Sequence, residues 1–164
     1  MVNAPSSPAA DPRLILSEDE LDRALETFLL AETALWQAVD NRLEGQNLGR
    51  GHYRTAFLLK RRPGLGAQDL ARLSGLTKQG ASKAMKELIE AGLAAVAPGD
   101  LDARRRPTHL TARGLAFEAS VSTTLRELLA SAYREGGIDA APGARRILAA
   151  LAGPRAQARR RDTY

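Results

Sequence analysis

The sequence contains no cysteine, so disulfides, thiolate metal sites and thiol-based redox switches are excluded. It has only two histidines, His52 and His109, and neither has a carboxylate or a second histidine at metal-ligand spacing, so no metal is expected. It offers no Ser/His/Asp or Cys/His constellation, no phosphate loop and no paired carboxylates, which argues against an enzyme; no cofactor is expected either. Residues Met1 to Pro8 lack a basic n-region and an apolar h-region, and no run approaches roughly 18 apolar residues. A cytoplasmic protein is the simplest expectation. There is no internal repeat and no low-complexity domain. What remains is 164 residues, about one domain's length, enough to bury a hydrophobic core without covalent or metal staples.

Charge is unevenly distributed along this chain. Residues 1–49 carry 3 basic and 9 acidic side chains, residues 50–113 carry 13 and 5, and residues 114–164 carry 8 and 5, within a net charge of +5. A basic middle flanked by an acidic N-terminal stretch points to a polyanionic partner met by the centre of the chain. A set of merely solvated Arg and Lys faces would give the same totals.

The centre of the basic stretch is Thr77–Ala91. At helical period Ala81, Met85 and Leu88, with Ala84 and Ile89 beside them, share one face, while Lys78, Gln79, Ser82, Lys83 and Lys86 share the other. Thr77 is placed to cap the helix N-terminus, and Gly92 stands where the left-handed residue after a helix belongs. Gln68–Leu73 reads as a short preceding helix closed by Ser74-Gly75, so the two helices form a helix-turn-helix, with His52–Arg62 as its supporting helix and Pro63-Gly64 as that helix's stop.

The remaining elements arrange themselves around this unit. Residues 1–13, with three prolines before Arg13, are expected to form a mobile arm. Ser17-Glu18-Asp19-Glu20 is a capping box with Leu16 and Leu21 as a hydrophobic staple, opening a helix to about Glu44. That helix, about 28 residues and roughly 42 Å long at the standard rise, is longer than a small domain can cover, which calls for a partner helix from a second subunit. After Gly92, the apolar Leu93–Ala97, the polar 98–107 loop with its Arg104-Arg105-Arg106 run, and Thr108–Thr111 read as a β-hairpin, the wing expected after a recognition helix. Thr111 is positioned to cap a long helix to about Glu135, ended by Gly136-Gly137, and Asp139 to cap a last helix to Ala152. The tail, 154–164, is basic and includes Arg159-Arg160-Arg161.

Asp102-x-Arg104 is followed, eight, nine and twelve positions after the aspartate, by Leu110, Thr111 and Gly114. Together with Leu70-Ala71…Gly75-Leu76-Thr77-Lys78-Gln79 and Leu88-x-x-x-Gly92-Leu93, this resembles the D-x-R…L-T-x-x-G wing signature and its upstream context in the MarR family of winged-helix transcription regulators, over roughly residues 20 to 152. The resemblance implies a mainly α fold with a small β-hairpin: a winged helix-turn-helix (51–111) between an N-terminal dimerisation helix (14–50) and C-terminal dimerisation helices (112–153). It also implies a homodimer on a pseudo-palindromic operator, acting as a repressor, with half-sites about 10 bp apart. Carried over residue by residue, it assigns DNA contact to Thr77, Lys78, Gln79, Ser82 and Lys83 on the recognition helix and to Arg104 in the minor groove, braced by Asp102. On physical grounds Gln79 and Lys83 suit base edges, the hydroxyls and Lys86 suit phosphates, and an arginine suits a narrow minor groove; Arg105 and Arg106 extend the same basic tip. Two positions depart from the family pattern: Leu93–Ala97 lacks the charged residues common in that strand, and Gly80 weakens the opening turns of the recognition helix by about 1 kcal/mol relative to alanine.

Family members bind small, often aromatic, ligands in a crevice between dimer helices and winged domain, so the resemblance makes Trp36, Tyr53 and Phe57 candidate pocket residues; ordinary core aromatics are the other reading. The alternative function is a winged-helix module that binds DNA without sequence preference or binds a protein partner.

Overall fold

The computed structural model describes residues 15–97 and 107–153. Expectations for the N-terminal arm, the wing tip and the basic tail lie outside these residues. Among the described residues, six helices and one two-stranded sheet follow in order: α1 (Glu18–Leu43), α2 (Arg50–Arg61), α3 (Ala67–Ser74), α4 (Lys78–Glu90), β1 (Ala94–Val96), β2 (Thr108–Leu110), α5 (Ala112–Gly136) and α6 (Ala140–Ala152). No described helix is long and apolar enough to cross a membrane.

The chain divides into two compact units, Met1–Ala34 and Leu35–Tyr164. In the first, both arms of the expected capping box form: the Glu20 amide donates to Ser17 Oγ at 3.3 Å and the Ser17 amide donates to Glu20 Oε2 at 2.8 Å. The bonds from the Ser17 amide and hydroxyl hold the Glu20 carboxyl below its ordinary range. Leu21, Leu25, Phe28 and Leu30 of this unit are exposed.

The second unit has two cores that share α2. One joins Ala56 and Leu59 of α2 to Leu70 of α3, to Ala81 and Leu88 of α4, and to Leu93 and Ala94 at the start of the hairpin. The other joins Val39 and Leu43 at the end of α1 to Tyr53 of α2 and Val121 of α5, with Trp36, Phe57, Phe117 and Leu125 packed against it. A buried polar connection crosses between α2 and α5. Glu118, 1% exposed, accepts from Lys60 and, at 2.5 Å, from the Ser122 hydroxyl, which lies 3.0 Å from Tyr53 Oη.

Helix α3 opens one residue earlier than expected, at Ala67, and the openings of α2 and α6 differ from expectation in their caps. Helix α2 begins at Arg50 rather than His52, because Gly49 takes the cap position and His52, at the third helical position, turns its ring back so that Nδ1 accepts the Gly49 amide at 2.9 Å. The imidazole does what a glutamate or glutamine does in an ordinary capping box. At α6, Asp139 makes no side-chain cap bond; its backbone is already in the helical region, and the Ala140 amide bonds Gly137 O at 3.1 Å instead.

Candidate nucleic-acid interface

Helices α3 and α4 meet across a turn made by Gly75, whose φ of 74° is left-handed and whose amide closes α3 onto Ala71 O at 3.1 Å. An L-side chain is disfavoured in that conformation, which is why glycine makes the turn. Helix α4 then opens on Thr77, whose hydroxyl accepts the Gly80 amide at 3.0 Å. It closes on Gly92 (φ 68°) in a Schellman arrangement: the Leu93 amide reaches Leu88 O at 2.8 Å and the Gly92 amide reaches Ile89 O at 2.9 Å. Both ends are set by the residues the sequence singles out.

The periodicity of α4 divides it as expected. Ala81, Ala84 and Leu88 are buried, and Met85 and Ile89 pack against the core. Thr77, Lys78, Gln79, Ser82, Lys83 and Lys86 are all exposed. Two acidic residues on the same helix, not among the sequence candidates, temper this face: Glu87 Oε1 is 3.9 Å from Lys83 Nζ and Glu90 Oε1 is 3.5 Å from Lys86 Nζ. Exposed i,i+4 pairs of this kind contribute a few tenths of a kcal/mol, so they bias the lysines without immobilising them. The signal for them was available at helical spacing.

The wing is seated by short-range bonds at its base. Strands β1 and β2 pair antiparallel, with Ala94 opposite Leu110 and Val96 opposite Thr108, and the Ala97 amide bonds Pro107 O at 2.9 Å where the hairpin leaves the described residues. The Thr108 hydroxyl donates to Met85 Sδ at 3.4 Å, tying β2 to the recognition helix. Thr111 ties the hairpin to the exit of α4 and to the start of α5: its hydroxyl donates to Gly92 O at 2.8 Å and accepts the Gly114 amide at 3.1 Å, capping α5. Leu110, Thr111 and Gly114 of the expected wing signature therefore hold the base of the wing. Asp102, Arg104, Arg105 and Arg106 lie outside the described residues.

The aromatic candidates sit in the second core. Tyr53 is buried, with its ring 6.1 Å from that of Phe57 at 52°. Trp36 is half-buried, and the guanidinium carbons of Arg54 and Arg50 lie over its ring at 4.3 and 5.7 Å. Arg50 also makes a two-pronged contact with Asp40, whose carboxyl is held below its usual range by those hydrogen bonds. None of the three aromatics lines the cleft of about 420 Å³ in this unit, whose walls are Gln46, Leu48, Ala91, Leu93, Arg113, Ala116, Phe117 and Ser120. That cleft opens beside the exit of α4. Its lining brings together an interhelical loop, the end of one helix and the start of another, a juxtaposition that no local sequence pattern announces.

Comparison with known proteins fits this arrangement. The MarR family profile matches residues 46–105, which span α2, the helix-turn-helix and the first wing strand. The HTH-type transcriptional regulator PetP of Rhodobacter capsulatus is 31% identical over 148 residues, covering 90% of this chain and 89% of that protein. The chain belongs to the MarR family. Membership makes it a winged-helix transcription regulator and not an enzyme. Among solved MarR structures, a transcriptional regulator from Silicibacter pomeroyi is 25% identical with a TM-score of 0.68, covering 84% of this chain and 94% of that one. The Mycobacterium tuberculosis MarR family protein Rv2887 in complex with DNA is 24% identical with a TM-score of 0.57, covering 76% of this chain and 95% of that one. The same protein has also been solved with p-aminosalicylic acid, at 25% identity, a TM-score of 0.59, and coverage of 77% and 98%.

Proposed function

We propose that the protein is a homodimeric repressor that reads a pseudo-palindromic operator with α4 and the wing. The observation that carries this reading is the exposed polar face of α4, where Thr77, Lys78, Gln79, Ser82, Lys83 and Lys86 stand on a helix whose opposite side is locked into the core. Gln79 and Lys83 read base edges in the major groove; Thr77, Ser82 and Lys86 meet phosphates. Arg104, braced by Asp102, enters the minor groove, and Arg105 and Arg106 add backbone charge. Rv2887, similar in fold and solved in complex with DNA, supports DNA as the partner.

Dimerisation is supported by apolar surface left uncovered on separate elements. Leu21, Leu25 and Phe28 of the first unit are exposed, as are Ile147, Leu148 and Leu151 of α6 in the second. A second copy covers such faces at no cost in exposed polar groups. Winged domains related by a two-fold axis then reach half-sites about 10 bp apart. Rv2887 solved in complex with p-aminosalicylic acid supports a small aromatic ligand here, and such a ligand releases DNA by binding DNA-competent and DNA-incompetent forms with different affinities.

The deciding experiment is a gel shift on the promoter region beside the protein's own gene, with sedimentation at micromolar concentration. A dimer that binds this region over competitor DNA is expected, with Lys83→Ala and Arg104→Ala both weakening it. Equal affinity for every duplex would favour a non-specific DNA-coating module, and a sedimenting monomer would overturn the dimer.

A further inference from the structure

Among the described residues, one side-chain relay links the supporting helix to the proposed reading face. His52 Nδ1 accepts the Gly49 amide at 2.9 Å, and its Nε2 lies 2.8 Å from Glu87 Oε2. A ring nitrogen that accepts an amide proton carries none, so the neutral imidazole is protonated at Nε2 and donates to Glu87. The other oxygen of the same carboxylate faces Lys83 Nζ at 3.9 Å. Glu87 is therefore fixed from one side by α2 and faces the lysine with its free edge. Its side chain is 37% exposed, against 60% for Glu90, the partner of Lys86.

We infer that Glu87 is a specificity-determining residue of the recognition helix and that His52 is its positioning residue. This inference rests on the proposed contact between Lys83 and DNA. A lysine beside a fixed carboxylate is poorly placed to gain from a phosphate, because the carboxylate is itself repelled by the DNA backbone and cannot swing away while His52 holds it. A base-edge acceptor deep in the major groove gives a directed bond to Lys83 and lies farther from that repulsion. Glu87 thus penalises the phosphate contacts available on any sequence more than it penalises the base contact available on one, which is how an unfavourable charge raises discrimination.

The test uses the full chain and two duplexes of equal length and composition: one selected by the wild-type protein from a randomised duplex library, the other a shuffled version of it. Glu87→Gln keeps an oxygen that can accept from His52, and a thermal melt checks that it folds. It is expected to bind the shuffled duplex about three- to tenfold more tightly while binding the selected duplex less than about twofold more tightly, and to steepen the salt dependence on the shuffled duplex by about one unit of slope, the mark of one more phosphate neutralised. Glu90→Gln is expected to shift both duplexes by a similar factor. His52→Ala is expected to lower the ratio of the two affinities in the wild-type background and to leave it unchanged in the Glu87→Gln background, a pattern that a purely structural loss does not produce. Lys83→Ala separates the role of Glu87 from the lysine's own contact with DNA. If it weakens binding to the selected duplex while Glu87→Gln behaves like Glu90→Gln, the role of Glu87 is overturned and the contact of Lys83 stands. Should Lys83→Ala have no effect on either duplex, both fall together.

Discussion

The backbone of Gly114 passes so close to Leu93 that a Cβ at position 114 would lie 1.8 Å from the Leu93 carbonyl oxygen and 2.8 Å from its carbon. The obstruction is main chain, anchored by the Thr111 amide, which bonds the same carbonyl at 3.0 Å. It cannot rotate out of the way as a side chain would. Position 114 therefore admits only glycine, and for a packing reason, since its φ is not in the left-handed region.

Gly114→Ala is accordingly expected to destabilise the protein by about 3 kcal/mol, the upper end of the usual overpacking cost, read as a fall in the urea midpoint with little change in slope. Because the displaced group is the exit of α4, the variant should also lose DNA affinity at temperatures where it remains folded. A normal midpoint would show that α5 can shift away from the hairpin without cost.

Much of this was legible from local chemistry. Ser17 with Glu20, Thr77, Gly75, Gly92 and Thr111 each mark a helix end through bonds within a few residues, and each makes the bond expected of it. The division of α4 into a buried face and an exposed polar face follows from period alone. What stayed hidden depends on partners distant in sequence. Nothing near Glu118 announces that it is buried, because the cation that compensates it, Lys60, lies 58 positions earlier. In the sequence His52 reads as the first residue of a helix, yet it belongs to the helix's third position and reaches across to Glu87, 35 positions away. The cleft beside the exit of α4 is likewise assembled from distant segments, among them the small Ala91 and Ala116, whose spacing carries no signal.

The Lys60–Glu118 pair should be costly to break and cheap to neutralise. Lys60→Met leaves a carboxylate buried without its cation, and a loss of about 3 kcal/mol is expected. Glu118→Gln keeps one oxygen, enough for Ser122, and leaves Lys60, which is partly exposed, to water, so it should cost about 1 kcal/mol. Chemical denaturation of the two variants in parallel checks the order. Equal losses would mean that the hydrogen bonds, rather than the buried charge, dominate at this junction of α2 and α5.

Tyr53 gives a test in alkali. Burial raises its pKa above the ordinary 10.0, with the Ser122 hydroxyl opposing that shift and the nearby Glu118 charge adding to it. A raised folded-state value means the neutral phenol is the form the fold favours, so its contribution is fully present below the unfolded value and is lost as pH rises through the folded one. Wild-type stability should therefore fall above about pH 10 more steeply than that of Tyr53→Phe, which has no proton to lose there. Urea midpoints at about pH 8 and pH 10.5 for both proteins provide the comparison. Parallel declines would place Tyr53 in a site that water reaches freely.

Gly80 is the least expected residue of the recognition helix. It occupies the third helical position, where alanine would be favoured by about 1 kcal/mol of helix propensity. A Cβ there would stand 3.1 Å from Thr77 Oγ1, the hydroxyl that caps the helix through the Gly80 amide. The crowding is moderate and falls on a rotatable side chain, so part of the propensity gain is offset and Gly80→Ala should change stability by less than about 1 kcal/mol. The effect on DNA should be larger. The added methyl lies beside Thr77, in the first turn of α4, where amides and the positive end of the helix dipole suit a phosphate. Several-fold weaker binding to a selected duplex, at unchanged stability, is the expected result. If Gly80→Ala stabilises the protein and binds DNA as tightly as before, close backbone approach is not the reason a glycine stands there.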